Sequence, residues 1–225
     1  MNNSVGNTAR LLGAGLRALL VLTLVCGVLY PLAVTGVAQA LFHDKANGSE
    51  IKADGRVVGS ELIGQRYDLP LRKGQKTPEP DLRWFQPRPA NGLGENSVNT
   101  RYELLLSGAT NLAGDSEELI AQVKKAKAAV VKDNSTAGHE VAPADVPPDA
   151  VTSSGSGLDP HISPAYAALQ VHRVAEKNHV SVDRVRNLVD EHTEGRTLGF
   201  MGEPRVNVLR LNIALAELTG RSHGS

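Results

Sequence analysis

The sequence predicts one N-terminal transmembrane helix followed by a small α/β (α+β) soluble domain, and three observations carry that reading. From Ala18 to Phe42 the chain runs "ALLVLTLVCGVLYPLAVTGVAQALF", 25 residues without a charge. Downstream, Asp54-Gly55 separates two short apolar-alternating runs, the pattern of a two-residue hairpin. Toward the C-terminus, apolar residues recur at helical spacing between capping and stop signals.

The apolar run would be about 37 Å long as a helix, enough to cross a hydrocarbon core of roughly 30 Å with tilt. Pro31 is expected to distort it, which membrane helices tolerate. A competing reading is a signal peptide cleaved after Ala40, because "VAQA" ends in a small-x-small pattern. The apolar run exceeds the roughly 7–15 residues of a signal sequence, which favours a retained anchor. Arg10 and Arg17 precede the span, with Arg17 against it, so residues 1–17 are placed in the cytoplasm and 43–225 outside it. Within the span of residues 18–42, Thr35 and Gln39 share a face beside the small pair Gly36 and Ala40. Small residues permit close helix approach and polar ones hydrogen-bond across it, so this face is the expected contact with other membrane helices.

In the outer region, Pro87 and Pro89 exclude helix from "RWFQPRPANGLGENS". A helix is expected over "GDSEELIAQVKKAKAAVVKDN", opened by Asp115 and Glu118 in a capping-box pattern. Residues 134–150 are proline-rich and polar, a flexible connector. Ser163 caps and Pro164 opens a helix to about His179; Ser181 caps a second that ends at Gly195; a third begins near Pro204 and stops by Gly220.

The stretch "VTSSGSGLDPHISPAYAALQVHRVA", residues 151–175, crowds serines, glycines, an aspartate and a histidine ahead of a predicted helix, the composition of a catalytic or phosphate-binding loop. Gly155-Ser156-Gly157 is too tight for a nucleophile elbow, and no lysine lies between Lys132 and Lys177 to complete a phosphate loop. Proline at 160 occupies the third-glycine position of a dinucleotide fingerprint. Asp159 and His161 form a candidate acid–base pair, but Asp-Pro ahead of Ser-Pro reads more economically as a turn with Asp159 accepting backbone hydrogen bonds. The seven histidines lack ligand spacing, and the single cysteine, Cys26, excludes an intrachain disulfide and a cysteine-based zinc site. Lys and Arg total 24 against 24 Asp and Glu, with no basic stripe, so nucleic acid is not an expected partner. No catalytic or metal-binding residue is assigned.

The residues do resemble a family. "YPLAVTGVAQ" (30–39), "VGSELIGQ" (58–65), "FQPRP" (Phe85, Gln86, Pro87, Arg88, Pro89), "SGSGLDPHISP" (154–164) and "HTEGRTLGFMGEPRVNVLRLN" (192–212) are similar, in order, to the KdpC family. These are the C subunits of bacterial high-affinity potassium-transporting P-type ATPases. The resemblance implies an inner-membrane, single-pass accessory subunit that is not itself the ATPase. Implied partners are the lipid bilayer, a channel-like potassium-binding subunit, a P-type ATP-hydrolysing subunit and a very small membrane peptide. Implied roles are complex assembly and action as a catalytic chaperone that raises the nucleotide affinity of the hydrolysing subunit. No cofactor is expected to be bound stably, and ATP associates only through the complex; direct ATP binding by the soluble domain is the alternative. The signature loop, Ser154, Gly155, Ser156, Gly157, Asp159 and His161, is expected to serve packing or a partner. The segment 101–116 departs from the family pattern, with Glu103 and leucines where asparagine and small residues are usual. His172 stands where proline is frequent, and the 134–150 segment is longer than typical.

Overall fold

The computed structural model describes residues 3–75, 77–95 and 105–221, so Glu103, the rest of 101–104 and residues 96–97 lie outside the described residues. The chain divides into two compact units, residues 1–49 and 50–225.

The first unit is helical. Helix α1 (Asn3–Leu24) passes through a π turn (Val25–Leu29) into α2 (Tyr30–Leu41), and a single turn, α3 (His43–Ala46), follows. The π turn answers Pro31. Proline has no N–H to offer the preceding turn, so the ladder shifts and the Tyr30 N–H reaches back five residues to the Val25 carbonyl. The apolar run is therefore part of a longer helix, spanning 38 residues from Ser4 to Leu41. The segment expected as a tail is helical from Asn3 onward.

The second unit opens with the hairpin of β1 (Glu50–Ala53) and β2 (Arg56–Ser60). Asp54 and Gly55 both take positive φ, +51° and +75°, as a type I′ turn requires. A two-residue pair, β3 (Gly94–Glu95) with β4 (Leu105–Leu106), is antiparallel. Helix α4 (Glu117–Asn134) follows Ser116 at its N-cap, one residue later than a cap at Asp115 would place the start. Residues 134–150, read as an unstructured connector, contain two 3-10 turns and bury Val141 and Ala150.

Helix α5 (Pro164–Asn178) carries the cap that its sequence announces: the Tyr166 N–H donates to Ser163 Oγ, and His179 closes it in the left-handed region. Helix α6 (Val182–Glu191) stops four residues short of Gly195 because Thr193–Glu194 leave as strand β6. The last helix does not begin near Pro204. Residues Arg205–Asn207 form β7, the centre of a three-stranded antiparallel sheet ordered β5 (His161–Ile162), β7, β6. Only then does α7 (Val208–Thr219) start, capped by Asn207, whose side chain accepts from the Arg210 N–H. Val206 is wholly buried in that central strand, so tertiary burial outweighs the helix-start signal of Pro204.

The core packs Tyr166, Val171 and Val174 of α5, Val185 and Val189 of α6, and Leu211 and Leu215 of α7 around Phe85 and Trp84. Residues 82–84 form a turn, closed by the Trp84 N–H on the Asp81 carbonyl at 3.1 Å, and Phe85 and Gln86 follow it outside any sheet, so the remaining backbone groups of 82–86 need other partners. Buried side chains supply them. Asn212 accepts from the Phe85 N–H and donates to the Phe85 carbonyl, both at 2.9 Å. Gln170 treats Gln86 the same way, at 2.7 and 3.1 Å. Asn178 donates to the Arg83 carbonyl at 2.7 Å, and Arg173 donates to the carbonyls of Leu82 and Trp84. Arg173 is 1% exposed, held in turn by Gln170 and by Asn134 at the end of α4. Burial pulls its guanidinium down to about 10, still charged at neutral pH.

Removing one of these amides strands two buried backbone groups. Asn212→Ala is expected to destabilise the second unit by about 2–4 kcal/mol, from unsatisfied N–H and C=O groups at Phe85. Trp84, the single tryptophan and a buried neighbour of Phe85, reports the shift in urea midpoint by its fluorescence. An unchanged midpoint would show that the strip is held by packing alone.

Candidate functional site

The two proline- and glycine-rich motifs of the second unit meet in space. Arg88, three residues beyond the clamped Phe85, donates from Nη1 to Asp159 Oδ2 at 3.1 Å, across 71 positions of sequence. Its Nε and Nη2 reach the carbonyls of Thr152 and Ser153, both at 3.4 Å. Asn91 N–H donates to Ser153 Oγ at 3.0 Å. "FQPRP" is thus the strut on which the signature loop leans.

Inside the loop the polar atoms serve the turn itself. The Gly157 N–H donates to Ser154 Oγ at 2.9 Å, and the Leu158 N–H to Ser156 Oγ at 3.1 Å. Asp159 Oδ1 accepts from the His161 N–H at 3.0 Å, an Asx turn, and lies 3.4 Å from His161 Nδ1. Gly157 has φ +69°, and a Cβ there would lie 2.8 Å from Leu93 Cδ2, so both backbone freedom and space call for glycine. Gly155 has open space around it and no such constraint. The loop's outer edge is tied down as well: the Gly108 N–H and Ser107 Oγ both donate to the Ser156 carbonyl, and the Gly64 N–H donates to the Leu158 carbonyl at 2.8 Å. At Gly64 a Cβ would sit 2.5 Å from the Asp159 carbonyl oxygen, so "VGSELIGQ" joins the same assembly through a backbone approach that only glycine permits.

Three of the segments singled out in the sequence therefore converge. Between them lies a groove of about 570 Å³, lined by Ile63, Arg66, Pro87, Leu93, Leu105 and Leu158 among others. A smaller cavity of about 220 Å³ lies on the α4–α5 side of the same strut, beside Arg173 and Tyr166. Sequence reading placed the motifs separately and missed Arg88 as their link. It also missed Gln170, Arg173 and Asn212, whose signal was present: large polar residues on the otherwise apolar faces of α5 and α7.

In the first unit, Thr35, Gly36, Gln39 and Ala40 lie together on exposed helix surface of α2, and a Cβ at Gly36 would meet nothing within 4 Å. The Gln39 amide pairs reciprocally with Asn47, at 3.2 and 3.1 Å, so its hydrogen bonds are made within the chain.

The hydrogen bond with His161 holds the Asp159 carboxyl below the usual carboxylate range against the opposing effect of burial, with Arg88 adding to the depression. Its folded value lies below the unfolded one of about 3.9, so its ionic contribution is complete above that pH and disappears as pH falls through the folded value. Asp159→Asn keeps an acceptor for the His161 N–H and removes only the charge. The variant is expected to be about 1 kcal/mol less stable near neutrality. Melting temperatures of the two proteins should converge as acidification passes below pH ~4; a constant gap through that window would exclude the ion pair as the strut's fastening.

Comparison with known proteins covers both units. The model of the family KdpC, described as "K+-transporting ATPase, c chain", matches residues 12–217. A KdpC subunit of a potassium-transporting ATPase from Streptomyces avermitilis is 77% identical over 222 residues, covering 99% of this chain and all of the relative. Its counterpart from Streptomyces coelicolor is 71% identical over 224 residues, covering both chains entirely. The Mycobacterium tuberculosis KdpC subunit is 43% identical over 205 residues, 90% of this chain and 96% of that one. The match runs through the apolar helix, the arginine strut and the glycine loop alike: this chain belongs to the KdpC family, the c chain of K+-transporting ATPases.

Proposed function

We propose that this chain is a non-catalytic accessory subunit of a high-affinity, ATP-driven potassium uptake complex, anchored in the bacterial inner membrane by its N-terminal helix. Residues 43–225 stand outside the cytoplasm. The partners are a channel-like potassium-binding subunit, a P-type ATP-hydrolysing subunit and a small membrane peptide. The chain acts in assembly and as a catalytic chaperone, raising the nucleotide affinity of the hydrolysing subunit through the membrane rather than by holding ATP itself.

Family membership over nearly the whole chain supports the complex. The observation that carries the accessory role is the inward accounting of the glycine loop. A phosphate cradle needs backbone N–H groups and hydroxyls aimed at a ligand. Here Gly157 and Leu158 spend theirs on Ser154 and Ser156, and Asp159 is engaged by His161 and Arg88. An effect on nucleotide affinity without such a cradle is a coupling free energy between separate sites.

Topology tests the proposal. Cys26→Ser combined with Ser156→Cys leaves one exposed thiol, at the tip of the loop. A membrane-impermeant maleimide is expected to label it in intact cells to the extent reached after lysis. Labelling only after lysis would place the loop with cytoplasmic ATP and make direct nucleotide contact the mechanism instead.

A further inference from the structure

Between β6 and β7 the chain makes an excursion, and its end points outward. Thr197 and Met201 face each other in an antiparallel bridge, with N–H···O distances of 2.9 and 3.0 Å in the two directions. The Gly199 N–H closes the tip onto the Arg196 carbonyl at 3.0 Å. Leu198 has φ +55° and Gly199 φ +82°. A leucine in the left-handed region is disfavoured by its own Cβ, and backbone of this kind is held where the presented side chain has a use. What is presented is apolar. Leu198 is 80% exposed and Phe200 70%, the two most exposed large apolar residues among those described in residues 50–221, and Met201 is half exposed beside them.

We propose that the tip formed by Leu198, Phe200 and Met201 is a preformed plug for an apolar socket on another protein subunit of the transport complex. This rests on the accessory-subunit reading above. The charge pattern chooses protein over lipid. Loops that dock on bilayers pair their apolar tip with unpaired cations and interfacial tryptophan or tyrosine. The stem here has none of these. Arg196 is paired with Glu203 at 2.8 Å and Arg205 with Glu194 at 3.0 Å, and residues 193–207 contain no lysine, tryptophan or tyrosine. A neutral, bridged stem carrying a leucine and an aromatic ring fits the anchor of a protein interface, where a few desolvated side chains supply most of the affinity and preorganisation limits the entropic loss.

The test uses the full-length chain, tagged and expressed with the other subunits of the transporter. A photoreactive benzoylphenylalanine at position 200 is expected to give one discrete adduct with another subunit, while the same probe at Lys124, exposed on α4, does not. Leu198→Ser/Phe200→Ser is expected to lower recovery of the other subunits after detergent washing about tenfold, as for the loss of two anchors, while melting at the wild-type temperature. If position 200 yields only lipid adducts, or none, while the tagged chain still retains its partners, the plug is refuted and the accessory role stands. If the unaltered chain retains no partner at all, both fall.

Discussion

The second unit depends on a strip of backbone that cannot be a strand. Pro87 and Pro89 deny the region a regular ladder, yet Phe85 must enter the centre of the core. A segment buried outside any ladder would cost roughly 1–3 kcal/mol for each orphaned group. Helices α5 and α7 resolve the conflict by presenting amides where an adjacent strand would present its peptide bonds. Asn212 and Gln170 each offer one donor and one acceptor to a single residue, which reproduces the exchange between paired residues of an antiparallel ladder. Arg173 is buried beside them, and its charge is tolerated because it is surrounded by carbonyl oxygens and lies in the field of Asp133 and Asp81.

From that clamp the rest follows outward. Fixing Phe85 and Gln86 fixes the direction in which Arg88 leaves the core, and Arg88 fastens the glycine loop through Asp159 and two carbonyls. The Gln86 side chain binds the carbonyls of Tyr67 and Asp81, at 2.8 and 2.9 Å, bringing the segment after the first hairpin against the same strut. Gly64 completes the closure from that side. Three segments distant in sequence are thus made neighbours by one buried polar cluster, and the groove between them is a consequence of how they are braced.

This hierarchy explains what could be read from the residues alone. Local signals were legible: Asp54-Gly55 as a hairpin turn, Ser163-Pro164 as a helix start, and the uncharged run as a long helix, because each acts within a few positions. Boundaries set by tertiary contact were not. Pro204 carries a helix-start signal, but Val206 is paired between two strands, and the cap that Asp115 signals is occupied by Ser116. The candidate site was legible as motifs and illegible as a place. The bond from Arg88 to Asp159 spans 71 residues, and nothing in the spacing of either motif points to the other.

The distribution of polarity has a consequence for how the second unit meets other molecules. Its best hydrogen-bonding groups are consumed internally, by the clamp and by the turns of the glycine loop, while apolar side chains line the groove and cap the 197–201 excursion. Ion pairs such as Arg196 with Glu203 and Arg205 with Glu194 cancel locally, in a chain whose formal charge is zero. A surface of that kind has little long-range field with which to steer a charged ligand. It gains affinity by removing apolar area from water against a complementary shape, at about 25 cal/mol per Å². Such recognition suits a partner already held nearby, since tethering replaces a bimolecular encounter with a high effective concentration. In the proposed membrane-anchored arrangement the N-terminal apolar helix supplies that tether, and modest apolar contacts suffice.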